Sequence, residues 1–372
     1  MCCCQFIQKE RTIMRINPFK LISFDSNMWA SNKVVSVMTN NNSKDKVQKT
    51  AEIMDFILKN VSSGKAKIDK EPGIYIINIE DESKSVTSIV GAIDYNERKV
   101  LLANEDTQSE KLIGYKEIFK KYKMQINPVL GFYKNGPSIT SLVKNTTEYP
   151  AKIQAFVNGI KYTLWCVKNP IDLANIKESL LDITTVYIAD GHHRFSIFES
   201  IASKVNAKLI ISLTDSDSIR LKSCHRVIVG KIAENWMQTL SRDCVFEVSG
   251  NFDITKDIII KFRDGMTYRV LFRSEIIVNN PLYLAIDQLI LHKAFGIGKN
   301  EEKIYPLPGN LDFSDTQAIF NLYKNSSVIV FIPHLKISEF FKIVDGGNRL
   351  PPTSTWFEPK IIDGFIMNAW AN

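Results

Sequence analysis

Segments dense in β-branched and aromatic residues alternate along this chain with segments whose apolar residues recur every three or four positions. The first kind predicts strands: "GIYIINI" (Gly73 to Ile79) and "SIVGAIDY" (Ser88 to Tyr95) have polar residues between them. The second kind predicts helices. Between Ser109 and Gln125, apolar Leu112, Ile113, Ile118, Phe119 and Tyr122 mark one face, and Lys120, Lys121 and Lys123 the other. "VLGFYK", "IQAFVNG" and "KYTLWCV" follow as strands, and Asn158-Gly159 between the last two is the turn pair of a two-residue hairpin. "NPIDLANIKESLL" reads as a helix with Pro170 in its first turn and Asn169 as its cap.

Further on, "TVYIAD" is a buried strand, Gly191 a turn, and a helix starts at about Arg194. The strand "AKLIISLTD" comes next, so a βαβ-type unit on a parallel or mixed sheet is expected. "LYLAIDQLILHKAFGIG" predicts a helix closed by Gly296 and Gly298. "SVIVFI" then predicts a strand, "KISEFFKIVDGG" a helix and "NRLPPTSTWFEPK" a loop. The fold class is α/β, with mixed α+β character. No repeat or low-complexity linker interrupts the pattern. Residues 15–372 are therefore expected as one compact domain, 1–14 as an N-terminal extension and 42–48 as a polar loop.

Composition narrows this picture in a few places. A chain of 372 residues with 45% hydrophobic and 23% charged residues is ordinary globular material. The net charge of +7 comes from 47 basic and 40 acidic residues that are interspersed, without an arginine-rich run or basic–aromatic interleaving, so nucleic acid is not the expected partner. Six cysteines show neither C-x-x-C spacing nor a disulfide framework, which suits a reducing, cytoplasmic setting. No window approaches ~18 uninterrupted apolar residues, so no membrane span is expected.

The chemistry concentrates in "YIADGHHRFSIF". Only five histidines occur in the chain, and two of them, His192 and His193, stand together between Gly191 and Arg194. A strand end, a glycine and a helix start place unpaired amides and the positive end of the helix at one point, a ready seat for an anion. Arg194 can grip phosphate oxygens bidentately. Asp190 could bind Mg²⁺ or orient a histidine. Adjacent histidines point apart in regular structure, so joint metal chelation is the weaker reading. A helix-capping histidine beside an exposed one is the purely structural alternative.

The wording of this segment resembles the signature of an uncharacterised bacterial and archaeal family, the domain of unknown function numbered ten-fifteen. Other blocks resemble the family in the same order. "INPFKLISFD" places Asp25 at its Tyr-Asp-Val aspartate, and "LLANEDTQSEKLIGY" resembles its His-Glu-x-Thr block followed by a lysine. "INPVLGFY" and "CHRVIVG" come next, and "RLPPTSTWFEPK" resembles the family's close.

The resemblance implies a ParB/sulfiredoxin-like core with a mixed sheet and additional α/β elements. Free L-serine kinases, which use ATP, ADP or pyrophosphate, belong to that superfamily. Carried over by position, Asp190, Gly191, His192, His193 and Arg194 would form a phosphate clamp, and side-chain chemistry assigns Mg²⁺ to Asp190. His225 and Arg226 would add positive charge from a second segment. Glu105 would act as general base on the serine hydroxyl, and Lys111, Ser354, Thr355 and Lys360 would rim the pocket. The chain departs from the pattern at Asn104, where the family has histidine, and at Thr353, where it has lysine. These departures leave a nucleotide- or phosphate-binding module without catalysis as the alternative.

Overall fold

Strands that are apolar on both faces need cover on both sides, and that requirement organises the larger part of the molecule. The structure, a computed structural model, describes residues 13–39, 46–105, 109–205, 207–248, 252–279, 281–298 and 303–369. Cys2, Cys3, Cys4 and positions 42–45 of the expected loop lie outside these residues, while positions 46–48 open the helix Lys46–Ser62. Contacts divide the chain into two compact units. The first comprises Met1–Ala103, Thr107–Ile219 and Pro359–Asn372, and the second Asn104–Asp106 and Arg220–Glu358. The chain passes between them without any Gly-, Pro- or Ser-rich linker, which is why the sequence carries no sign of the division.

In the first unit an eight-stranded mixed sheet runs in the order Leu101–Leu102, Val186–Asp190, Val129–Tyr133, Leu209–Asp215, Ser85–Ile93, Ile74–Glu80, Ile160–Val167, Ile153–Val157. Alternation along Ile74–Glu80 sends Ile74 and Ile76 into one core, with Ile89, Ile188 and Ile211. Tyr75, Ile77 and Ile79 enter the other, with Trp29, Phe24 and Phe365. The hairpin at Asn158-Gly159 forms as expected, with φ of 52° and 78°, and Asn169 Oδ1 accepts from Ile171 N–H at 2.8 Å to cap the helix Pro170–Ser179. Met14, placed by the sequence in the extension, is fully buried and donates its N–H to Ile183 O.

Three expectations are corrected. The helix Ser109–Tyr122 stops short of Gln125, because Lys123 turns to φ 47° and Met124–Gln125 pairs as a strand with Asn368–Ala369. Val186–Asp190 and Leu209–Asp215 do not form a parallel βαβ pair. Val129–Tyr133 lies between them, antiparallel to the first and parallel to the second, so they run in opposite directions. The helix after Gly191 begins at His192, two residues before Arg194, and runs to Val205.

The second unit holds a six-stranded antiparallel sheet ordered Cys244–Glu247, Thr267–Phe272, Ile258–Phe262, Ser326–Phe331, His225–Val229, Ile304–Leu307. Val227, Ile259, Ile329 and Phe331 pack on one side of it with Ile319 and Phe320. On the other, Trp236 gathers Phe246, Phe262, Tyr268 and Phe295 with ring centroids 5.3–5.9 Å away. The segment expected as a single α-helix is α-helical over Leu282–Ala285 and then widens into a π-helix, Ile286–Ala294, closed by Gly296 at φ 69°. The closing loop contains a short strand, Thr355–Glu358, paired with Arg220–Ser223.

Candidate functional site

The strand Val186–Asp190 ends because Gly191 takes φ 97°, a conformation that costs an L side chain strain and glycine little. Space reinforces the requirement: a Cβ on Gly191 would meet Arg194 Nε and Nη2 at 3.0 Å. The Arg194 guanidinium therefore folds back across the glycine. Its Nη1 donates to Asn127 O at 2.7 Å and Pro128 O at 2.8 Å, and its Nη2 to Asp190 Oδ2 at 2.5 Å. Lys360 Nζ reaches the other carboxylate oxygen, Asp190 Oδ1, at 3.1 Å. Phe195 N–H closes the first helical turn onto Gly191 O at 2.9 Å, so the amides of the preceding residues face outward from the helix start.

Burial opposes ionisation of Asp190, but the charges of Lys360 and Arg194 outweigh it and hold the carboxyl well below the usual carboxylate range. The cluster is one anion between two fixed cations at the positive end of a fourteen-residue helix, so its balance is positive. It is also accessible, since the side chains of Asp190, Arg194 and Lys360 keep 32%, 21% and 38% of their exposure. His192 and His193 are half-buried in the same first turn, and the ring of His193 lies 6.2 Å from that of Tyr115. Lys111 belongs to the helix Ser109–Tyr122, and its side chain lies outside the described residues.

The remaining expected residues lie in the second unit. Glu105 is buried, at 7% exposure, and both its oxygens are occupied. Oε2 accepts from Thr353 N–H at 2.8 Å, and Oε1 from Thr355 N–H at 2.9 Å and from the Thr355 hydroxyl. The general-base role expected for Glu105 fits this geometry poorly, because three of the roughly four lone-pair sites of its carboxylate are already held by the turn. Ser354 donates its hydroxyl to Pro351 O at 2.7 Å. Arg226 holds the same turn from the other side, with Nη1 to Thr353 O at 3.0 Å and Nη2 to Pro352 O at 3.3 Å.

His225 is also corrected. It is fully buried, its Nδ1 accepts from Ile332 N–H at 3.0 Å, and its ring stacks at a tilt on Phe331. Burial, reinforced by His334 and Arg226, pushes its pKa down to about 3. The imidazole is neutral at physiological pH and adds no positive charge.

Magnesium finds no free carboxylate oxygen at Asp190 while Arg194 and Lys360 hold it. Among the described residues no group of three or more His, Cys, Asp or Glu side chains converges for a metal. Nor is any helix among them long and apolar enough to cross a membrane.

Sequence reasoning missed two features of these clusters. The carbonyls of Asn127 and Pro128 hold Arg194 through the backbone, which no side-chain pattern announces. The π-helical widening at Ile286 has no residue signature in "LYLAIDQLILHKA".

Solved structures similar in outline share about a tenth of their residues with this chain. SbnI with a C-terminal truncation, from Staphylococcus aureus, is 10% identical with a TM-score of 0.43, covering 74% of this chain and 86% of its own. A free serine kinase in complex with AMP is 11% identical with a TM-score of 0.40, covering 76% and 93%. A conserved hypothetical protein from Pyrococcus furiosus is 10% identical with a TM-score of 0.41, covering 76% and 96%. No curated protein matches the chain. A family model, described as "Protein of unknown function (DUF1015)", matches residues 31–296, a span that includes Asp190–Arg194, Glu105, His225 and Arg226, and the chain belongs to that family.

Proposed function

We propose that the Asp190–Arg194 turn binds the phosphate groups of a nucleotide or pyrophosphate, and that the protein is a small-molecule kinase acting on the hydroxyl of free L-serine. The observation that carries the reading is the exposed cluster itself: two cations share one carboxylate at the start of a long helix. A phosphate chain offers Arg194 and Lys360 a better-charged partner than Asp190, and it also takes the outward amides of the first helical turn. Exchange of partners has a second consequence. Once phosphate occupies Lys360 and Arg194, the attraction that keeps the Asp190 carboxyl acidic is relieved, and Asp190 becomes the stronger base.

In the transfer, the serine Oγ–P bond forms as the bond between that phosphorus and the donor's bridging oxygen breaks. The hydroxyl proton passes to Asp190. Positioning and charge neutralisation account for most catalysis of this kind, and Arg194, Lys360 and the helix amides supply both. Glu105 has no part in it; its carboxylate secures the Thr353–Thr355 turn. The superfamily kinship implied by the motifs agrees with this assignment.

The test is phosphorus NMR of the purified protein with L-serine and ATP, ADP or pyrophosphate, with magnesium added and withheld. A phosphoserine resonance that disappears in Arg194→Ala and Lys360→Met is expected. Protection of the protein from thermal unfolding by the donor, without phosphoserine, would reduce the function to phosphate binding. Neither protection nor turnover would overturn the proposal.

A further inference from the structure

Alternation along the strand Leu209–Asp215 sends Leu209, Ile211 and Leu213 into one core of the first unit and Ile210 into the other. Ser212 and Thr214 continue the series of Ile210, at positions where an apolar side chain is expected, and both are fully buried. The neighbouring strand Ser85–Ile93 repeats the pattern. Val90 and Ala92 pack in the same core as Ile210, and Ser88, two residues before Val90, is buried at 3% exposure. Three hydroxyls thus stand in place of apolar groups on one face of two paired strands.

Thr214 donates its hydroxyl to Thr87 O at 3.1 Å, which leaves its oxygen as an acceptor. The hydroxyl of Ser212 makes no hydrogen bond among the described residues. A hydroxyl buried in that way carries its full desolvation cost. Ser88, Ser212 and Thr214 line one small cavity, with room for about one water molecule, together with Leu130, Pro359 and Ile361. Pro359 and Ile361 flank Lys360, so the cavity lies beside the segment that carries Lys360 to Asp190.

We infer that this cavity is the binding site of one ordered water molecule, held by the hydroxyls of Ser88, Ser212 and Thr214. Three partners are the usual complement of an internal water, which can accept from Ser212 and donate to Thr214. No charged side chain lines the cavity, so an ion would find no counter-charge there. The space is too small for an organic ligand. The water answers the Ser212 hydroxyl and fills the space beside the Lys360 segment, where a void would forfeit packing. The inference does not rest on the kinase reading, since it needs neither phosphate nor turnover.

Oxygen-17 magnetic relaxation dispersion of the full chain counts waters held long enough to tumble with the protein, and it is blind to hydroxyl proton exchange. Ser212→Val adds a methyl group about the size of a water, so its dispersion is expected to report one long-lived water fewer than that of the parent chain. Equal counts would overturn the inference. Ser212→Ala keeps the space and removes the hydroxyl, and urea unfolding then distinguishes the two cases by sign. If the hydroxyl binds water, its loss is expected to lower the folded-to-unfolded ratio by roughly 2- to 10-fold, the net worth of one hydrogen bond. If the hydroxyl has no partner, its removal relieves the desolvation cost and raises that ratio. A raised or unchanged ratio would likewise sink the inference.

Discussion

Two acid–base clusters in this protein use the same residue types to opposite ends. In the first unit Asp190 sits between Arg194 and Lys360, all three partly exposed, and its charge is answered by side chains. In the second unit Glu105 and Arg226 are buried, do not pair with each other, and are answered by the backbone: Glu105 by the amides of Thr353 and Thr355, Arg226 by carbonyls. Side-chain partners at a wet surface can be exchanged for a ligand at little cost, because each ion can turn to water or phosphate as it leaves. Backbone partners cannot move without undoing the turn. The difference separates a carboxylate suited to chemistry from one suited to architecture.

The sharpest way to break this comparison is Glu105→Ala. It removes three hydrogen bonds and strands the buried amide of Thr355, and a loss of about 2–4 kcal/mol in urea unfolding is expected. A loss below about 1 kcal/mol would mean that Glu105 is free to act as the base after all. Gly191→Ala comes next. The left-handed φ and the 3.0 Å approach to Arg194 should cost about 1–3 kcal/mol and displace the guanidinium from Asp190. Donor protection in thermal melts should disappear with it, whereas Gly64→Ala, also at positive φ but with open space around it, should leave binding intact.

The third test concerns charge rather than contact. The unfolded imidazole of His225 takes up a proton near its ordinary pKa and the folded one only near 3, so between those values the unfolded state binds more protons. Stability should therefore fall as pH drops through that window, by up to about 1.4 kcal/mol per pH unit, and should not depend on this group above it. His225→Asn retains an acceptor for Ile332 N–H and removes the titration. Urea midpoints from pH 7 to pH 4 should decline less steeply in the variant, and equal slopes would show that His225 is not held neutral.

Smaller effects sharpen the contrast. Thr353, a β-branched residue at φ 56°, strains the turn that Glu105 and Arg226 hold. Thr353→Asn should raise the midpoint, by roughly 0.5 kcal/mol, since asparagine tolerates that conformation better. Lys360→Met should alter stability by less than about 1 kcal/mol, as expected for a partly exposed ion pair. A large loss of stability there would place Asp190 in the architectural class with Glu105.

What could be read from the chain without coordinates is local. The strand–glycine–helix at Asp190–His192, the Asn158-Gly159 hairpin and the Asn169 cap are each encoded within a few residues, and each forms. The phosphate-clamp reading drew on the same short range, because strand, turn and helix start are adjacent in sequence. Family membership was legible for a related reason, as ordered blocks of short motifs survive as strings.

The tertiary structure decided whatever depends on partners distant in sequence. Glu105 meets Thr355 across 250 positions and Asp190 meets Lys360 across 170. Nothing near Glu105 distinguishes a free base from a buried tether. Likewise the direction of Leu209–Asp215 was settled by Val129–Tyr133 entering between it and Val186–Asp190, and the neutrality of His225 by the sheet that buries it. Propensity and capping act through neighbours along the chain. Strand order, burial and the protonation that follows from burial arise only when remote segments are brought together.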